Sequence, residues 1–244
     1  MKTATIRPEN SIFYMVDMQN DFVKPSGKLY VPGAETLIPT VQELQEYARS
    51  KGFREYASVD RHFHSDQEID AEHPNWSTTF PPHCMNRTPG QAMVFELMLE
   101  NAFYVEDKLD ERGSRSFYKY DDLQIYLSSS RQVVFEKQSN DVATNPHFTT
   151  AINYLKGEGV RNAILYGVAT SYCVKDAVQG LLERDIKVYV VANAIKDLPG
   201  MDSASPMKQW REHGAEFVYT SNDPVALDAA VHGADMRSID SLLD

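Results

Sequence analysis

The stretch 162–182, NAILYGVATSYCVKDAVQGLL, decides how this chain folds. Ala163, Ile164, Leu165 and Tyr166 form a short apolar run suited to a buried strand, and Gly167 ends it. From Cys173 onward the period changes: Val174, Ala177, Val178, Leu181 and Leu182 fall on one helical face. Cys173 therefore sits where a strand has ended and a helix begins. Free amides and the positive helix end favour a thiolate there over a thiol. A buried structural cysteine fits the same window equally well, so residues elsewhere must decide.

Outward from this stretch, strands and helices keep alternating. Ser11–Val16 (SIFYMV) reads as a buried first strand closing on Asp17. A turn at Pro32-Gly33 precedes a helix with Leu37, Val41 and Leu44 on its inner face, and Phe53–Val59 reads as the second strand. Gln132–Phe135 is another strand, followed at once by Glu136-Lys137. A helix over Phe148–Leu155, a strand over Lys187–Ala192, a helix within Pro206–His213 and a strand over Phe217–Tyr219 complete the series. Gln91–Leu99 is expected to form a short helix, and the tail from Asp223 to Asp244 another. Near-continuous apolar strands alternating with helices predict an α/β chain whose parallel sheet is covered on both faces.

Two stretches break the rhythm. Residues 60–90 are polar and aperiodic, and hold four of the chain's seven histidines with Trp76, Phe80 and the stiff Pro81-Pro82 pair. A loop that long inside a compact protein usually has a functional reason. Residues 100–130 alternate charged and aromatic side chains and read as an insertion or lid within a single domain spanning 1–244. An ordinary surface connection anchored by aromatics fits them equally well.

Composition narrows the classes of function. A formal charge of −11 without a basic tract argues against nucleic acid or an anionic membrane as partner, while leaving room for a small molecule. No apolar run approaches membrane-spanning length, and the opening MKTATIRPENSI lacks the apolar stretch of a secretory signal, so a cytoplasmic location is expected. Two cysteines in 244 residues make no disulfide framework.

Asp17, Lys137 and Cys173 all follow short apolar strands, and in an open parallel sheet such strand ends line the ligand crevice. A carboxylate can take the thiol proton, a lysine can favour developing negative charge, and the cysteine then becomes a strong nucleophile. The loop Gly167–Ser171 offers closely spaced amides to an oxyanion. In Asp60-Arg61-His62, residues two apart share a face of an extended segment, and His83 could close on them. One carboxylate and two imidazoles suit a divalent transition metal, although histidines in a polar loop can also be plain surface residues.

In this order the segments FYMVDMQNDF, VDRH, FPPHCMNRTPG, VVFEK and ILYGVATSYCV resemble the isochorismatase-like cysteine hydrolases, specifically the nicotinamidase/pyrazinamidase branch. The resemblance implies a three-layer αβα sandwich around a mainly parallel six-stranded sheet. It assigns Asp17 to proton transfer, Lys137 to the active-site lysine and Cys173 to the nucleophile, with the amides of Ala169 and Cys173 as oxyanion hole. Asp60, His62 and His83 match three ligands of one divalent metal, Zn first with Fe or Mn as alternatives. Val168-Ala169 matches a characteristic non-proline cis peptide, and Phe22 and Phe80 match the pocket wall. The implied reaction takes nicotinamide to nicotinate and ammonia through a thioester. An isochorismatase-type hydrolase of an enol ether, a hydrolase of another small amide and a non-enzymatic scaffold are the alternatives; a homo-oligomer is compatible with any of them. Here the branch's further metal-site histidine is missing, leaving His64, Glu68, His73 or water to complete the site. Arg87 replaces the first glycine of the usual GTPG, and Cys84 is assigned to packing.

Overall fold

The computed structural model describes residues 5–220 and 237–242 of the 244-residue chain. Its strands are β1 (Ser11–Val16), β2 (Arg54–Asp60), β3 (Phe103–Val105), β4 (Gln132–Lys137), β5 (Asn162–Val168), β6 (Lys187–Lys196), β7 (Glu216–Tyr219) and β8 (Arg237–Ser238). They form one sheet in the order β3-β4-β2-β1-β5-β6-β7-β8, with every adjacent pair parallel. The helices are α1 (Asn20–Val23), α2 (Ile38–Lys51), α3 (Tyr120–Ser129), α4 (Phe148–Gly157), α5 (Lys175–Leu182) and α6 (Ala204–Glu212).

Strand alternation sorts side chains into two cores, giving the three-layer α/β/α sandwich. Phe13, Met15, Ala57, Ile164 and Tyr166 face α2 through Val41, Leu44 and Ala48. Ile12, Tyr14, Val16, Tyr56 and Leu165 face the other layer, where α3 to α6 bring Leu127, Ile152, Val178 and Trp210. Buried on both sides, the central strands need apolar residues at every position, which explains their unbroken hydrophobic runs.

The sheet has eight strands where six were expected. The additional edge strands, β3 and β8, are three and two residues long, too short to leave a periodic signal. Residues 100–130 supply β3 and α3, whose Leu123 and Leu127 are buried in the second core. The helix expected over Gln91–Leu99 is only a 3₁₀ turn at Phe95–Leu97. Most of the expected helix at Asp223–Asp244 lies outside the described residues; the part described is β8 and a short 3₁₀ turn at Ile239–Ser241.

Two glycines are fixed by geometry. Gly52 caps α2 at φ 77°, donating to the carbonyls of Ala48 and Arg49. Gly167 adopts φ 130° beside β1, where an added Cβ would lie 2.1 Å from the Val16 carbonyl oxygen. That approach lets β5 carry the segment towards Cys173 past the end of β1.

Candidate active site and metal centre

The crevice opens where the order of connections reverses, at the carboxyl ends of β1 and β5. Asp17 immediately follows β1 at φ 50°, its amide donating to Ser58 O at 3.1 Å. Lys137 is the last residue of β4, and Cys173 stands in a wide turn, Thr170–Val174, between β5 and α5. The peptide Val168-Ala169 at the start of that turn is cis.

These distant residues meet. Lys137 Nζ lies 2.8 Å from Asp17 Oδ2 and 3.4 Å from Cys173 Sγ, and is also ion-paired with Asp60. The Ser58 hydroxyl donates to Asp17 Oδ1 at 2.7 Å. All three side chains are buried, Cys173 keeping 5% of its surface open.

Burial sets the resting protonation. It pushes the Cys173 thiol well above its ordinary range; Lys137 pulls the other way, but Asp17 and Asp60 add to the rise. The expected preference for thiolate is therefore reversed, because desolvation and two carboxylates outweigh one ammonium. Burial likewise raises Asp17 against the opposing pull of Lys137. For Lys137 burial acts downward, but Asp17 and Asp60 more than offset it and hold the ammonium charged.

Beside this cluster, Asp60 Oδ2 lies 3.6 Å from both His62 Nε2 and His83 Nε2, and the two rings are 4.6 Å apart between centroids. The chemistry of this donor set fits a divalent transition metal. The ligating atoms lie within 4.8 Å of one another, all are buried, and His62 Nε2 has no hydrogen-bond partner. Each ring is also fixed through its other nitrogen, His62 Nδ1 3.3 Å from Asp66 Oδ2 and His83 Nδ1 2.8 Å from Pro81 O. Lys108 in turn holds Asp66. Burial disfavours a charged His62, but the neighbouring Asp60 and Asp66 carboxylates overcome it and raise the imidazole to about 9.

Of the side chains expected as further ligands, one stands beside this donor set. His64 and His73 are exposed, whereas Glu68 Oε2 is buried without a hydrogen-bond partner, 3.8 Å from His62 Nε2. Burial, reinforced by Asp60, raises the Glu68 carboxyl to about 7. Gln19 fixes the centre from below, its side-chain amide exchanging two 2.7 Å hydrogen bonds with the backbone of Asp60.

Above the sulfur lies a cleft whose lining includes Phe22, Phe80, Leu29, Val31, Tyr172 and Leu198, with Asn140 among its polar groups. Phe22 and Phe80 flank His83 at ring separations of 5.4 and 6.1 Å. Arg87 is exposed at φ 63°, a left-handed conformation that explains why glycine suits this position. Cys84 is buried, with its thiol facing Gly90 O at 3.9 Å. Sequence reasoning missed Ser58, Asp66, Gln19 and Asn140. Ser58, Gln19 and Asn140 are lone polar residues with partners on other segments, and Asp66 joins nearby His62 to distant Lys108.

An Isochorismatase domain family profile matches residues 120–222. The Nicotinamidase of Escherichia coli K12 is 25% identical over 222 residues, covering 86% of this chain and 94% of that protein. The Nicotinamidase/pyrazinamidase of Mycobacterium tuberculosis is 22% identical, covering 85% and 97%. Among solved structures, Pyrococcus horikoshii pyrazinamidase in complex with zinc superposes with a TM-score of 0.61 at 23% identity, covering 86% of this chain and 99% of that one. In fold and in the order of its motifs the chain is similar to the isochorismatase-like superfamily and to its nicotinamidase/pyrazinamidase branch.

Proposed function

We propose that the chain is a metal-dependent, cysteine-nucleophile amidohydrolase that converts nicotinamide to nicotinate and ammonia. One observation carries the reading: a buried thiol with a carboxylate and an ammonium at its side stands directly beside an Asp-His-His donor set, under an apolar cleft.

Asp60, His62 and His83, with Glu68 adjoining, would hold the ion; when bound it supplies a Lewis-acidic anchor for a pyridine nitrogen. Zinc is the first choice, in keeping with the Pyrococcus relative's complex. Phe22 and Phe80 clamp the aromatic ring and keep water from its faces. Asp17 accepts the Cys173 proton as sulfur bonds to the carboxamide carbon, and the amides of Ala169 and Cys173 receive the oxyanion. As the C–N bond breaks, its electron pair goes to nitrogen, which takes the proton from Asp17 and leaves as ammonia. Water then gives a proton to Asp17 and attacks the thioester, releasing nicotinate and returning the proton to sulfur. Lys137 stays charged throughout and holds Asp17 in line with the sulfur.

The enzyme is proposed to work as a single domain in the cytoplasm on a small neutral amide. No helix among the described residues is long and apolar enough to cross a membrane. An anionic enol ether is a poorer fit, since among the described residues no arginine or lysine lines the cleft and Lys137 beneath it is already paired with two carboxylates. The test is ammonia release from aromatic and aliphatic amides by metal-loaded wild type and Cys173→Ala. Nicotinamide turnover lost in the variant supports the proposal; cleavage of an enol ether with no amide turned over refutes it.

A further inference from the structure

The proposed chemistry leaves one polar group in the cleft without a task. Asn140 follows β4 by three residues and is half-buried, and its Oδ1 lies 3.6 Å from Cys173 Sγ. Among the described residues, that long contact with the thiol is the side chain's sole hydrogen bond. Its main-chain amide lies close enough to the Glu68 carboxylate to favour that group's ionised form. Asp60 and His83, on the metal-centre side, are other polar side chains of the cleft lining, and Phe22, Phe80 and Leu198 are apolar. A carboxamide thus stands beside the reacting sulfur with that thiol as its one partner among the described residues.

We propose that Asn140 is a specificity-determining residue that recognises the scissile group of the substrate as a primary amide. This rests on the amidohydrolase reading above. A carbon bonded to Cys173 Sγ carries its substituents within reach of a group that already contacts the sulfur. One of them, the oxygen, belongs to the amides of Ala169 and Cys173, which leaves the nitrogen for Asn140. Oδ1 accepts one N–H of the substrate's NH₂, orienting the nitrogen so that its lone pair can take the proton from Asp17 as the C–N bond breaks. An ester offers only acceptors at that position and cannot supply the N–H. A carboxylate product faces Oδ1 with a like partial charge, which favours its departure.

The test compares nicotinamide with methyl nicotinate, which share one acyl group, in metal-loaded wild type, Asn140→Ala and Cys173→Ala. The ratio of amide to ester kcat/KM should fall about 10-fold or more in Asn140→Ala, the scale expected when a site loses a hydrogen bond to a polar substrate group. A residue serving only to hold the fold would lower both substrates together and leave the ratio unchanged; that outcome, or undiminished amide turnover, overturns the inference while leaving the amidohydrolase reading intact. Wild type inert towards both compounds overturns both.

Discussion

Lys137 is ion-paired with Asp60 as well as with Asp17, so one ammonium joins the proposed proton acceptor to the candidate metal centre. Asp60 turns one oxygen to this lysine and the other to His62 and His83. The two halves of the site are therefore not independent. Perturbing either one changes the charge balance of the other.

Removal of Lys137 tests that connection. In Lys137→Met two buried carboxylates lose their common counter-charge, a change expected to cost about 3–5 kcal/mol of stability. Denaturant unfolding measures it. Amide turnover should disappear in the same variant even where it remains folded, and adding metal should not restore it.

The pH profile should report Asp17. Burial raises this carboxyl, so the acid limb of kcat/KM should lie above the usual aspartate range, with activity rising as Asp17 ionises. Ser58 donates its hydroxyl to the ionised form. Ser58→Ala should therefore move that limb to still higher pH, by about 1 unit for a hydrogen bond of ordinary strength.

Metal binding should be coupled to proton release. Burial opposes a charged His62, but Asp60 and Asp66 prevail and hold it protonated up to about pH 9 in the metal-free protein. Ligation requires the neutral imidazole, so affinity should rise with pH until about 9 and then level off. Calorimetric titration in buffers of different ionisation enthalpy counts the proton expelled. Asp66→Ala removes the acceptor that orients the ring and should weaken binding about 10- to 100-fold.

Gly167→Ala should damage the fold itself. The new methyl would meet the Val16 carbonyl at 2.1 Å on a backbone at φ 130°, and β1 cannot retreat from the centre of the sheet. A loss of about 3 kcal/mol is expected, measured as a lower unfolding midpoint.

The central sheet was readable because each of its strands is buried on both faces and so carries its signal in consecutive residues. Ser11–Val16 runs without a polar break after Ser11, and β5 follows the apolar run at 163–166. Edge strand β3 leaves Tyr104 exposed and spans three residues, so nothing local marks it. In the site, residue type and position after a strand pointed to Asp17, Lys137 and Cys173. Their protonation was not readable, because it depends on how many carboxylates share the enclosure. The supporting groups were hidden for a related reason: Gln19 meets Asp60, and Asp66 meets Lys108, across loops whose approach only the folded chain defines.

The strand order has a consequence for synthesis. β1 lies between β2 and β5, and β5 begins only at Asn162. A ribosome-bound chain shorter than that has nothing to cover one edge of its earliest strand, and it has not yet made the cysteine. Such a fragment is exposed to misassociation and chemically silent at once, so truncated products should burden quality control without contributing any turnover.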